Sequence, residues 1–212
     1  ASAPSANPAE AAGSSTSASA SASAPTSFGA GQPLVAASDE VFFRRKAAAV
    51  WWMLRELAGE QPLQLALSAW RTQPVRPDTP AAQARAFQAL LEKTSGKDLG
   101  WFFDSWVLED RGLPDLSIVE VTPRQLPAGQ GHDTGWLVAV TVRNSGAATA
   151  DVPLSIRSGP LTTNKRIRVP GLSSVTNREV LRSAPTEIVL NDGSTPEAGA
   201  AVHTRSVVVR SE

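Results

Sequence analysis

Cysteine and tyrosine are both missing from these 212 residues, methionine occurs once, and histidine occurs only at His132 and His203. Without thiols there is no disulfide, no thiolate metal site and no cysteine nucleophile, whatever compartment the chain occupies. Two histidines so far apart in sequence cannot form the pair, one helical turn apart, that a His-Glu-x-x-His zinc helix uses. Both lie in polar, Gly- or Ala-rich text and read as exposed loop histidines. No Gly-x-Ser-x-Gly elbow is present for a serine nucleophile. The glycines that might cradle a phosphate, Gly29, Gly31, Gly129 and Gly131, sit in linker-like stretches and not between a strand and a helix. Neither sign of charge is in excess, with 20 Lys+Arg against 20 Asp+Glu, so a basic face for nucleic acid is not expected. No apolar run reaches eighteen residues, so no segment is expected to cross a membrane as a helix.

What is there falls into three parts. Residues 1–37 are a low-complexity Ala/Ser/Pro stretch that cannot bury a core, read as a flexible linker or a surface-loop insertion, with a glycosylated stalk as the rival. It has neither the charged nor the apolar region of a signal peptide. A start without methionine leads to the expectation that the chain is part of something longer.

Residues 38–113 carry helix signals. Ser38 is the expected cap, with Asp39 and Glu40 in the first turn favoured by the helix dipole. The apolar residues Phe42, Phe43, Val50, Trp51, Met53, Leu54 and Leu57 form one broad face ending at Gly59. Pro62 suits the first turn of a second helix, carrying Leu63, Leu65, Leu67 and Trp70 to about Arg71. Thr79-Pro80 starts a third helix, with Ala84, Phe87, Leu90 and Leu91, which stops at Gly96. A short fourth helix is expected from Asp98 to about Val107. It crowds Leu99, Trp101, Phe102, Phe103 and Trp106 together, and packing against neighbours is favoured over ligand contact for these rings.

From residue 114 to 212 the period becomes two. Short strands are expected at Leu116–Glu120, Trp136–Val142, Val152–Ile156, Arg166–Val169, Glu179–Leu181, Glu187–Leu190 and Val207–Val209. Turn signals at Asn144-Ser-Gly146, Pro170-Gly171 and Asn191-Asp-Gly193 separate them. The fold class is therefore α+β, a small helical segment followed by an immunoglobulin-like β-sandwich. Among the carboxylates, Asp104 lies inside the aromatic helix and calls for a structural partner such as an arginine. Glu109 and Asp110 are adjacent, diverge on any regular element, and read as a solvated loop.

The stretch Leu91-Glu-Lys-Thr-Ser-Gly-Lys-Asp-Leu-Gly-Trp-Phe-Phe-Asp-Ser-Trp-Val107, followed by Gly112-Leu-Pro114, resembles the end of the catalytic domain in M1-family zinc aminopeptidases. Upstream, Lys46-Ala-Ala-Ala-Val-Trp-Trp-Met-Leu-Arg-Glu-Leu-Ala-Gly-Glu60 is similar to the helix that precedes it in that family. The resemblance covers about Ser38 to Leu116; the sandwich agrees by position and class only. It implies a parent enzyme that removes N-terminal residues from peptides with one zinc held by two histidines and a glutamate. Those ligands would lie upstream, so no residue here is assigned a catalytic, cofactor-binding or metal-binding role. The family also places a tyrosine hydroxyl near the start of the first helix, where it stabilises the tetrahedral intermediate. Phe42 or Phe43 falls closest to that place, and no register supplies a phenol. Either the parent lacks this hydroxyl or another group serves.

The partners implied are the upstream catalytic segment of the same polypeptide and a peptide substrate. The competing reading is a non-enzymatic extracellular β-sandwich binding or adhesion module, which an exposed apolar patch on the sandwich would favour. Secretion, or residence in a bacterial periplasm or envelope, is the localisation expected from the linker composition and the sandwich.

Overall fold

The computed structural model describes residues 32–127 and 134–209, and shows an α+β chain of four α-helices followed by two antiparallel sheets. Helix α1 spans Glu40–Ala58, α2 Glu60–Arg71, α3 Pro80–Ser95 and α4 Gly100–Phe103. A 3₁₀ turn at Leu34–Ala36 precedes them, and a π-helical turn at Asp104–Leu108 continues α4. The cap of α1 is Asp39, not Ser38. The Asp39 carboxylate accepts the Phe42 N–H at 2.6 Å, while Ser38 turns its hydroxyl back to Gln32 Oε1. Asp98 likewise stays outside α4, where its Oδ1 accepts the Gly100 N–H at 3.0 Å. Gly59 and Gly96 end α1 and α3 as expected, Gly96 in the left-handed conformation that spares it a Cβ clash.

The helices bury one core. Val50, Met53, Leu54 and Leu57 of α1 meet Leu63 and Ala66 of α2, Phe87 and Leu91 of α3, and Leu99, Phe102, Phe103, Trp106 and Val107 beyond it. Each such side chain contributes roughly 1.5–3 kcal/mol when fully covered. The continuous apolar face expected of α1 is not realised. Phe43, Trp51 and, on α2, Leu65 are exposed. Phe43 lies near the free first turn of α1, and Trp51 stands at the flank of the buried stripe with its ring edge-on to Phe87, 5.6 Å between centroids.

Strands β1 (Leu116–Leu126), β2 (Gly135–Asn144) and β5 (Ser173–Leu181) form one sheet in the order β1-β2-β5. The other sheet has the order β4-β3-β6-β7, from β3 (Ala150–Ser158), β4 (Leu161–Val169), β6 (Glu187–Leu190) and β7 (His203–Ser206). Alternate residues of both sheets, Val138, Val140 and Val142 against Val152, Leu154, Ile156, Ile188 and Leu190, share a second core. The last strand is His203–Ser206 and not Val207–Val209. Its ladder with the four-residue β6 ends at the pair Glu187–Ser206. In β1 the register shifts between Ile118 and Glu120, and Arg205 Nη1 donates to the carbonyls of Ile118 and Val119 at that bulge.

The two cores meet at a tight seam. Ala148, between β2 and β3, is buried in the helical core, and Trp106 Nε1 donates to Thr149 O at 3.0 Å. Arg168 of β4 lies over the Trp101 ring at 4.2 Å. Asn144, wholly buried, accepts the N–H groups of Asp115 and Gly146 and donates to Ala148 O and Val169 O. A Cβ on Gly146 would stand 2.2 Å from Leu113 O, so only glycine lets the two backbones approach this closely.

Candidate functional site on the first helix

The stretch from Thr94 to Pro114 acts as joinery. Thr94 Oγ1 donates to Pro62 O at 2.9 Å, tying α3 to α2. The Lys97 ammonium donates to Leu57 O at the C-terminal end of α1, where a cation also suits the helix dipole. Leu99 N donates to Glu92 Oε1 at 2.9 Å, and Phe102 and Trp106 stack inside the core. Gly112, at φ 75°, makes the step into the sheets. These contacts explain why this spacing of polar and aromatic residues holds a helix end against a following sheet pair.

The carboxylates picked out by sequence separate on inspection. Asp104 accepts Arg85 Nη2 at 2.5 Å, the arginine partner its position calls for. Glu109 pairs with Arg111 near the surface. Asp110 is not solvated. Its side chain is 7% exposed and pairs at 3.1 Å with Lys46, itself 6% exposed. Lys46 Nζ also donates to Gln32 O and lies 5.3 Å from the Phe42 ring centre. Asp110 Oδ1 takes the Gly112 N–H as well, so one buried pair ties the chain entry, α1 and the exit to the sheets. A lysine among alanines at position 46, with its neighbours on the apolar side of the helix, was the available signal.

His203 is not an exposed loop histidine either. It opens β7, is partly buried, and its Nε2 lies 3.0 Å from Glu197 Oε2. Glu197 is fully buried, accepting also from Leu116 N and Asn191 Nδ2. This carboxylate knots the start of β1, the segment after β6 and β7 together. His132, Gly129 and Gly131, like Gly29 and Gly31, lie outside the described residues. Among the described residues, no three His, Cys, Asp or Glu side chains converge as metal ligands. No helix of the described residues is long and apolar enough to cross a membrane.

The face that remains without cover is on α1. Val41, Ala48, Trp52 and Arg55 recur at helical spacing opposite the buried stripe, with Trp51 beside them. Trp51 is 42% and Trp52 60% exposed. One cleft of about 260 Å³ runs along Ala48, Trp51, Trp52, Arg55 and Leu63, and Arg55 lies 5.2 Å from the Trp52 ring centre. A second cavity of about 440 Å³ opens where Ala49, Trp52 and Glu56 face Asp192, Gly193, Ser194 and Pro196. The Ser194 hydroxyl and backbone N–H hold the Asp192 carboxyl below its ordinary value, helped by the field of Arg166. At the other end of α1, Phe43 is exposed and Phe42 packs beside Lys46.

No family model and no curated protein matches this chain. Among solved structures, it is similar to Legionella pneumophila aminopeptidase A in complex with aspartic acid, at 16% identity and a TM-score of 0.45, over 66% of this chain and 16% of that one. It is also similar to DesR, a β-glucosidase from Streptomyces venezuelae in complex with D-glucose, at 17% identity and a TM-score of 0.22, over 51% of this chain and 18% of that one. The chain thus spans less than a fifth of either protein. At these scores neither likeness carries an argument about fold or activity.

Proposed function

We propose that this chain is the C-terminal portion of an M1-like zinc aminopeptidase, in which residues 38–113 form one wall of the substrate cleft and residues 114–212 brace that wall. The observation that carries the reading is on α1, where two large apolar side chains outside the buried stripe stay open, Trp51 at 42% and Trp52 at 60% exposure. Adjacent exposed tryptophans mark a surface that further protein covers. Trp51 and Trp52 together leave roughly 250 Å² of mostly apolar surface open, and covering it would stabilise an assembly by about 6 kcal/mol before ordering costs. The Thr94–Pro114 pattern supports the same reading, because its residues join a helical layer to a following sheet pair. On this view the bracing unit is an immunoglobulin-like sandwich, a class that the strand orders β1-β2-β5 and β4-β3-β6-β7 suit. Zinc, its ligands and the general base would come from sequence upstream of residue 1, and the substrate would be a peptide with a free N-terminus. Residues 1–37 would serve as a linker or surface insertion, in a secreted or periplasmic protein.

The test is a longer polypeptide that carries a His-Glu-x-x-His helix ahead of residue 1. Release of an N-terminal residue by that polypeptide, lost when residues 38–212 are removed and absent from the 212-residue chain alone, is the expected result. Zinc-dependent release by the 212-residue chain alone would overturn the proposal.

A further inference from the structure

We infer that the open face of α1 is the interface of a homodimer, in which two copies of this chain cross antiparallel at Ala48. Outward positions of α1 run at the spacing of a helical stripe, from Val41 through Arg44 and Arg45, then Trp51 and Trp52, to Arg55. Ala48 stands at the middle, and every one of these positions is exposed. The stripe maps onto itself when its direction is reversed about Ala48. Arg44 and Arg45 then exchange places with Trp52 and Trp51, and Arg55 with Val41. A two-fold axis through Ala48 therefore sets the cations of one copy on large apolar side chains of the other, at both ends at once. Such self-complementarity is what an isologous interface requires. A parallel pair would set arginine against arginine and indole against indole.

The pairing is one this molecule already uses, since Arg76 lies over Trp70 at 5.1 Å and Arg168 over Trp101 at 4.2 Å. A guanidinium stacked on indole keeps its rim of N–H groups for carboxylates or water. Arg45 has no ion-pair or hydrogen-bond partner among the described residues. Arg44 pairs with Glu40 at 2.6 Å, but both side chains are largely exposed, so that contact holds the guanidinium weakly. Arg55 pairs with Glu60 and lies 5.2 Å from the Trp52 ring centre of its own chain, yet that indole stays open to solvent. Arg44, Arg45 and Arg55 are balanced on this face by Glu40, Glu56 and Glu60. Two copies therefore approach without net repulsion, and an anionic surface finds no net charge to attract it.

The size of the face suits a second copy. The stripe leaves open roughly 600–700 Å² per copy, so a pair would bury roughly 1,200–1,400 Å², the lower part of the range for specific interfaces. A small residue at the crossing lets two helices come within about 8–10 Å of each other. The face is also preformed, because Val50, Met53 and Leu57 anchor the other side of α1 in the helical core. Residues 1–31 contain Phe28 as their one large apolar residue, so that stretch has little with which to cover two indoles. The expected dissociation constant is micromolar, about 10–100 μM. This inference does not rest on the peptidase reading. An upstream segment in a longer polypeptide would compete with the second copy for the same face, and the 212-residue chain reads that face without it.

The test is sedimentation equilibrium of the full chain over a concentration series that brackets this value. A reversible monomer–dimer equilibrium with no larger species is the expected result. Two double variants at exposed positions, Arg44→Ala/Arg45→Ala and Trp51→Ala/Trp52→Ala, should each weaken the homodimer at least about tenfold, with an unchanged far-ultraviolet circular dichroism spectrum as proof of the fold. Mixing the two variants, one of them fluorescently labelled, restores one of the two sets of Arg-on-Trp contacts. The heterodimer should therefore be about three- to tenfold tighter than either variant homodimer, which a parallel pairing would not give. Ala48→Arg, at the crossing, should abolish association. A chain that stays monomeric throughout, a dimer that survives all three substitutions, or a mixture no tighter than its components would overturn the inference. None of these readouts depends on peptidase activity in a longer polypeptide, so the two ideas fail separately.

Discussion

Removing one member of the Lys46–Asp110 pair should be among the most damaging polar changes available in this chain. Both side chains are nearly closed to water, at 6% and 7% exposure, and they meet at 3.1 Å. Lys46→Met deletes the cation and leaves Asp110 buried, with Gly112 N–H as its remaining donor. One of its oxygens, Oδ2, already lacks a hydrogen-bond partner. Stripping the counter-charge from such a group costs about 3–5 kcal/mol. The pair also links residue 32 to residues 110 and 112, so the loss should fall on the helical core. Five of the six tryptophans lie on the helical segment, at positions 51, 52, 70, 101 and 106, and three of these, Trp70, Trp101 and Trp106, are in or against its core, so urea unfolding followed by tryptophan emission reports that core. The double variant Lys46→Met/Asp110→Leu replaces two charges by apolar groups of similar size. It should recover most of the loss, to within about 1–2 kcal/mol of the wild type. A single-variant cost below about 1 kcal/mol, or a double variant no better than the worse single, would refute the reasoning that this pair is buried and coupled.

Three further outcomes follow from the geometry. Gly146→Ala should cost about 3 kcal/mol or more by forcing a Cβ to within 2.2 Å of Leu113 O, whereas Gly193→Ala, with open space around it and only a φ of 87° to strain it, should cost about 1–2 kcal/mol; urea midpoints of the two compare them directly. Trp51→Lys with Trp52→Lys should convert a self-associating chain into a monomer by light scattering, and a wild-type chain already monodisperse at high concentration would contradict the open apolar face. Asp192 is held below its ordinary value by Ser194. Its ionised form therefore favours the folded loop; the contribution is complete above the unfolded carboxylate value and is lost as pH falls through the lower folded value. Asp192→Asn should flatten that part of the acid limb, below about pH 4, in amide exchange rates of the Asn191–Pro196 loop.

Much of the architecture was legible because it is locally encoded. Thr79-Pro80, Gly59 and Gly96 punctuate helices through caps and φ angles that need no tertiary partner. The alternation of Val138, Val140 and Val142 announces a half-buried strand by itself. Boundaries slipped where a side chain chose a different partner, as Ser38 did with Gln32 and Asp98 with Gly100. The candidate site was less legible. Glu56 and Asp192 are 136 positions apart by number and carry no motif, and their shared cavity exists only because the loop after β6 folds up beside α1.

Composition and periodicity determined the helix-then-strand order, the two apolar cores and the want of thiol or paired-histidine chemistry, because each depends on residue type and short-range spacing alone. Tertiary structure decided which side of α1 is covered, that Asp110 and His203 are tied into partly or fully closed networks, and which carboxylates stay without a cation. Those outcomes depend on burial and on partners 6 to 64 residues away, and charge, unlike hydrophobicity, acquires its meaning only once the dielectric and the neighbours are set.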